Sequence, residues 1–239
     1  MQNKFFYVPF LSALLCLGLA AQTPEIIPLS DEPHHHLAFH NQYVNVYRVE
    51  VSPHDSVLLH RHDADAISVM LSDSDVTVRG PGKPDNRVKL SKGQVRLQSS
   101  GYVHSTTIES DQPYRNITVE LLLPQQGHKN LCAVVAPGKP LNCADEASAN
   151  SAYKAEPQFQ TDQTQVTIYR LRPKEKLSLS PTGRPQLLVA MDGGIHGDGK
   201  DSAMNTGDFI WLDKTDPARE FTNRTEREVA LISFSFLPQ

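Results

Sequence analysis

Short, closely spaced runs of alternating apolar and polar residues dominate this chain and leave few architectures open. Tyr47, Val49 and Val51 alternate with Arg48 and Glu50, and Ile67, Val69 and Leu71 alternate with Ser68 and Met70. Val57–Leu59, Val76–Val78, Val88–Leu90 and Val95–Leu97 are shorter runs of the same kind, and 116–123 is a longer one. Ser52-Pro53, Ser72-Asp73, Pro81-Gly82, Ser91-Lys92-Gly93 and Asp111-Gln112-Pro113 punctuate them. Period-2 runs separated by turn residues are half-buried strands, and many of them in series make a sandwich or barrel.

The scheme occurs twice. A shift of 120 positions lays Pro173 on Pro53, Leu177 on Val57, Leu179 on Leu59, Leu187 on Ile67 and Val189 on Val69. Gly207 to Leu212 likewise mirrors Gly93 to Leu97. Two copies of one β module explain this pattern. The expected division is a signal peptide at 1–21, an N-terminal arm at 22–39, a first module at 40–124, a linker at 125–160 and a second module at 161–239.

The first residues set the compartment. Lys4 is followed by the apolar run 5–19 and by Ala20-Ala21, the layout of a secretory signal with cleavage near Ala21. The run is shorter than the roughly 20 residues of a membrane span. The expectation is an exported, periplasmic or extracellular protein that does not span the membrane after cleavage. Cys132 and Cys143 are then the remaining cysteines. They are expected to pair as a disulfide worth about 3 kcal/mol in the chain-entropy model. A formal net charge of −4 and the lack of a basic run argue against nucleic acid as a partner.

One set of residues carries chemistry. His60 and His62 lie two apart in an apolar strand, so their side chains share a face. His104 follows Gly93 and Gly101, where glycine allows a sharp turn. Three imidazoles from converging strands suit one divalent transition ion, whether Fe, Mn, Ni, Cu or Zn. Asp65 is a fourth candidate ligand, although alternation turns it away from the histidine face. His34-His35-His36 and His40 precede the first strand and are read as a solvated arm, with a second metal site or a lid over the barrel mouth as the alternatives. Arg48 and Glu120 are left without a role, because alternation does not say which face is interior.

The first module resembles a cupin. The second motif of that family is Gly, five residues, Pro-x-Gly, two residues, His, three residues, Asn. Here Gly93, Gly101 and His104 keep the spacing, while Ser99 and Ile108 replace proline and asparagine. Of the first motif, His60-x-His62 is kept. His54 and Asp73 stand at the glycines, and Ala66 and Ile67 at the two positions where a glutamate falls.

The resemblance implies two jelly-roll barrels in tandem, an all-β bicupin whose first barrel binds metal through His60, His62 and His104. The second carries no such set, since Ser180, Thr182 and Ala218 occupy the corresponding places. That module is expected to contribute packing or homodimer-like contacts, with His196 as a solvated loop residue. The resemblance also implies a small-molecule ligand. Oxygen-dependent oxidation of a small anionic metabolite leads, and a non-catalytic sugar- or metal-binding module is the alternative.

Overall fold

A computed structural model of the chain describes residues 25–123, 128–129, 154–181, 183–197 and 203–236. The signal segment and both Cys132 and Cys143 lie outside the described residues. The first half holds β1 (Ile27–Pro28), β2 (His35–His40), β3 (Val44–Val51), β4 (Ser56–His62), β5 (Asp65–Met70), β6 (Ser74–Arg79), β7 (Asn86–Leu90), β8 (Val95–Gln98), β9 (Tyr102–Ile108) and β10 (Tyr114–Leu121). The second holds β11 (His128–Lys129), β12 (Lys154–Thr161), β13 (Thr164–Leu171), β14 (Lys176–Leu179), β15 (Gln186–Ala190), β16 (Ile195–Gly197), β17 (Phe209–Leu212), β18 (Arg219–Asn223) and β19 (Val229–Phe236). Among the described residues there is no α-helix, only one 3-10 turn at Leu29–Asp31.

Two sheets close the first barrel, in the orders β1-β4-β9-β6-β7 and β2-β3-β10-β5-β8. The second barrel pairs β11-β12-β13-β19-β15-β17 with β14-β18-β16. The apolar alternation serves two destinations, a seam between the barrels and the barrel interiors. Val44, Val46, Ile67, Val69 and Val119 of the first barrel meet Val166, Ile168, Leu187, Val189 and Phe234 of the second in one continuous core. The alternate residues of the same strands point inward. Tyr47, Val49, Val51 and Met70 line the first barrel, while Leu171, Leu188, Ala190 and Leu231 fill the second. The barrels are therefore joined back to back by apolar faces, which removes two large apolar surfaces from water.

The duplication is visible in backbone detail. Gly93 N–H donates to Met70 C=O at 2.8 Å, and Gly207 N–H donates to Ala190 C=O at 2.8 Å, 120 positions on from Met70. Both glycines have positive φ, at 89° and 85°. His54 and Lys174, also 120 apart, have φ of 62° and 65° at equivalent turns. His54 occupies the place where the cupin motif has glycine, and its left-handed backbone shows why glycine suits that place.

Two expectations change. The segment read as a linker to residue 160 contains β12, which pairs with β13 as part of the second barrel. Pro157 conceals this strand, because it cannot donate to a ladder and sits where the register shifts. The N-terminal arm is paired rather than free, although His36 and His40 keep exposed side chains. β1 adds in parallel to β4 with Ile27 opposite His60, and β2 pairs along β3.

Candidate metal centre

β4 and β9 run antiparallel with His60 directly opposite His104. Facing residues on neighbouring strands have Cβ atoms only about 5 Å apart. His62 shares the face of His60, so all three rings converge. Gly101, at φ 77°, makes the approach to β9, and its N–H closes on His62 C=O at 2.7 Å.

The ring centroids lie 5.1 Å apart for His60–His62, 4.5 Å for His60–His104 and 5.3 Å for His62–His104. Each residue offers one ligand atom, and these atoms all lie within 4.8 Å of one another. His62 Nε2 and His104 Nε2 are 3.1 Å apart. Two nitrogens bound at about 2.1 Å to one ion stand about 3.0 Å apart in octahedral cis positions and about 3.4 Å apart in a tetrahedron. The observed spacing falls between these values.

Neighbouring groups set the tautomers. His60 Nδ1–H donates to Leu58 C=O at 2.8 Å, which leaves the Nε2 lone pair for the cluster. That Nε2 is buried and has no hydrogen-bond partner among the described residues, and the same holds for His62 Nδ1. His104 Nδ1 lies 3.3 Å from Thr106 Oγ1, and Tyr102 stacks on the His104 ring at 4.6 Å. Buried imidazole nitrogens normally find a partner. An orphaned one pointing at two others fits a divalent transition ion, and outer hydrogen bonds of this kind orient metal-bound histidines.

Burial keeps these rings neutral. Desolvation lowers His60 to about 4. Desolvation, then the nearby His60 and His35, lower His62 to about 3. Desolvation, then the neighbouring histidines, hold His104 well below its ordinary value. Neutral imidazole is the form that binds metal.

The N-terminal strap buttresses the cluster. The His35 ring packs 4.9 Å from His60, and its Nδ1–H donates to Glu32 Oε2 at 2.6 Å. Glu32 also accepts from His34 N–H at 2.8 Å, His34 Nδ1 at 3.0 Å and Leu58 N–H at 3.2 Å. Burial alone would raise the Glu32 carboxyl, but the hydrogen bonds from His35 and His34 outweigh it and hold it at about 2. Leu58 is thus gripped from two sides, its N–H by Glu32 and its C=O by His60.

Of the other candidates, Asp65 is not among the clustered ligand atoms. Its carboxylate accepts Ser100 N–H at 2.8 Å, because β5 presents Ala66, not Asp65, on the barrel side. His196 stands in β16, half-buried, and not in a solvated loop. Arg48 faces the other barrel and reaches Asp208 at 3.4 Å. Glu120 is buried, accepts Asn45 Nδ2 at 3.0 Å and is bonded to Tyr47.

A cavity of about 390 Å³ opens beside His104, within the size range of small-molecule sites. Met70, Val76, Val88 and Leu90 are among its apolar lining residues. Arg96, Lys83, Tyr102 and Tyr114 are among its polar ones. Sequence reasoning passed over these four, and over Glu32. The signal available for Arg96 was only its place as the polar alternate between Val95 and Leu97 on the strand that starts from Gly93.

Among the described residues no helix is long and apolar enough to cross a membrane. No protein-family model matches the chain, and no curated protein matches it in sequence. Solved structures do. AerE from Microcystis aeruginosa superposes over 87% of this chain and 99% of its own, with a TM-score of 0.60 at 9% identity. A point mutant of salicylate 1,2-dioxygenase from Pseudoaminobacter salicylatoxidans covers 81% of this chain and 70% of its own, with a TM-score of 0.54 at 14% identity. A point mutant of oxalate decarboxylase OxdC from Bacillus subtilis covers 82% and 69%, with a TM-score of 0.56 at 11% identity. With its two back-to-back jelly rolls and three convergent histidines in the first, the chain has the bicupin fold.

Proposed function

We propose that the first barrel is a metal-dependent oxygenase site for a small metabolite, with His60, His62 and His104 holding one divalent transition ion. The observation that carries this reading is the cluster itself: three imidazoles, two of them fully buried, each offering one ligand atom beside a cavity of about 390 Å³. When bound, such an ion supplies Lewis acidity and, if redox-active, electrons for dioxygen.

The cavity walls narrow the choice of chemistry. Among the described lining residues there is no carboxylate and no cysteine, and the one histidine is His104, a ligand candidate. Isomerisation needs a positioned general base, which Asp, Glu or His usually provides, whereas hydrolysis can draw its hydroxide from water on the ion itself. Walls of this composition favour reactions driven by the ion. Salicylate 1,2-dioxygenase, also solved with adducts of gentisate, provides a precedent for oxygen chemistry on this fold. The chain's own residues orient and shield. Thr106 and Leu58 fix two of the rings, and Tyr102 covers His104. The secretory signal read at 1–21 makes the proposed site an exported one.

The test is metal analysis followed by oxygen-electrode measurements on the Fe(II)-reconstituted protein with small organic acids. About one ion per chain and acid-dependent oxygen uptake are expected, both abolished by His104→Ala. No metal after reconstitution would remove the proposal. Metal and ligand-dependent thermal stabilisation without turnover would leave a binding module instead.

A further inference from the structure

The charge of the cavity defines what enters it. Arg96 and Lys83 both line it, and no acidic residue does among the described ones. Arg96 comes from β8, opposite Ser68 of β5, and is half-buried in the barrel. Lys83 sits over the Tyr102 ring at 5.9 Å, and Tyr102 in turn stacks on His104. Tyr114 is half-buried near Arg96, and desolvation pushes its hydroxyl up to about 12, so it stays a neutral donor. Two cations and two phenol hydroxyls thus line the same cavity as the apolar side chains of Met70, Val76, Val88 and Leu90.

A half-buried guanidinium attracts an anion more strongly than one in open water. Arg presents a planar fork of donors that matches a carboxylate in bidentate geometry. We infer that the cavity is a carboxylate-binding site in which Arg96 anchors the acid group of a small monocarboxylic acid, Lys83 guides it in past Tyr102, and its apolar body packs among Met70, Val76, Val88 and Leu90. This assignment rests on the oxygenase reading and deepens it by naming its substrate class, and it is tested separately from the metal.

The experiment is a titration of formate, acetate and benzoate into metal-loaded and chelator-stripped protein, followed by calorimetry and thermal shift, with benzamide as the neutral control. Benzoate is expected to bind most tightly, because its ring packs among those apolar side chains, and benzamide at least tenfold more weakly. Arg96→Gln should weaken benzoate by about tenfold to a hundredfold, the loss expected of a charge-assisted hydrogen bond. Arg96→Lys, which keeps the charge but not the fork, should recover part of it. Each variant is to hold the wild-type amount of metal, which shows that the barrel is intact. Arg96-dependent binding by stripped protein would uphold the carboxylate site even if the metal proposal failed. The inference is overturned if none of the three acids binds, if benzamide matches benzoate, or if Arg96→Gln binds benzoate like wild type while retaining its metal.

Discussion

Glu32→Gln tests whether the N-terminal strap is part of the first barrel or an appendage. The Glu32 carboxylate is fully shielded and accepts four hydrogen bonds, from His34 N–H, His34 Nδ1, His35 Nδ1 and Leu58 N–H. Glutamine keeps the shape but replaces one acceptor oxygen by a donor, which must face an N–H. Its folded carboxyl is lowered from 4.5 to about 2. That shift corresponds to about 3 kcal/mol of stability at pH 7. Because the folded value is the depressed one, this contribution is complete above pH 4.5 and is lost as pH falls toward 2. At pH 3 about 1 kcal/mol remains. For a chain of this length each kcal/mol moves the midpoint by about 2–4 °C. Thermal unfolding of metal-free protein followed by circular dichroism should therefore place the variant about 6–12 °C below wild type at pH 7. The gap should close to about a third of that at pH 3, where protonated glutamate resembles glutamine. A variant within about 1 °C of wild type at pH 7, or a gap that does not shrink on acidification, would refute the assigned role.

Three further outcomes follow from the geometry. His60 and His62 are lowered to about 4 and 3 by desolvation, so at about pH 6 the cluster is already neutral. Calorimetry in two buffers of different ionisation enthalpy should show metal binding at that pH with close to no proton release, and release of one or more protons per ion would contradict the buried neutral cluster. The same depression makes the metal-free fold lose stability as pH falls from about 6.5 toward 4, because the unfolded chain takes up protons first. At the seam between the barrels, Gly207 has φ 85° and an added Cβ would lie 2.8 Å from Leu71 Cδ1. Gly207→Ala should cost about 2–4 kcal/mol through backbone strain and overpacking. Gly82→Ala, at φ 67° with open space around it, should cost about 1 kcal/mol. Equal losses for the two in denaturant titrations would refute the tight seam.

Much of the fold could be read from residues alone, because Ile67, Val69, Leu187 and Val189 alternate cleanly and lie 120 apart. What alternation could not say was which apolar face looks where. The Ile67–Val69 stripe joins the barrels, whereas Tyr47, Val49 and Val51 line the first one, whose site-bearing interior also keeps polar residues such as Ser68, Arg96 and Thr118. The histidine cluster was legible for a local reason: two members share a strand face, and the third is set by glycine spacing. The strap was not, because a register shift between Leu37 and Phe39 breaks the period of two. His35, on β2 of one sheet, meets His60, on β4 of the other, only because the two sheets face each other. Glu32 and Arg96 take their meaning from neighbours distant in sequence, which no local pattern encodes.

The central claim is a single cation among three imidazoles. Anomalous scattering at the metal edge, from crystals of protein loaded with one equivalent of the ion, addresses it most directly. One peak about 2.1 Å from a nitrogen of each of His60, His62 and His104 is the expected result. No peak there, or a peak confined to His34–His36, would contradict it.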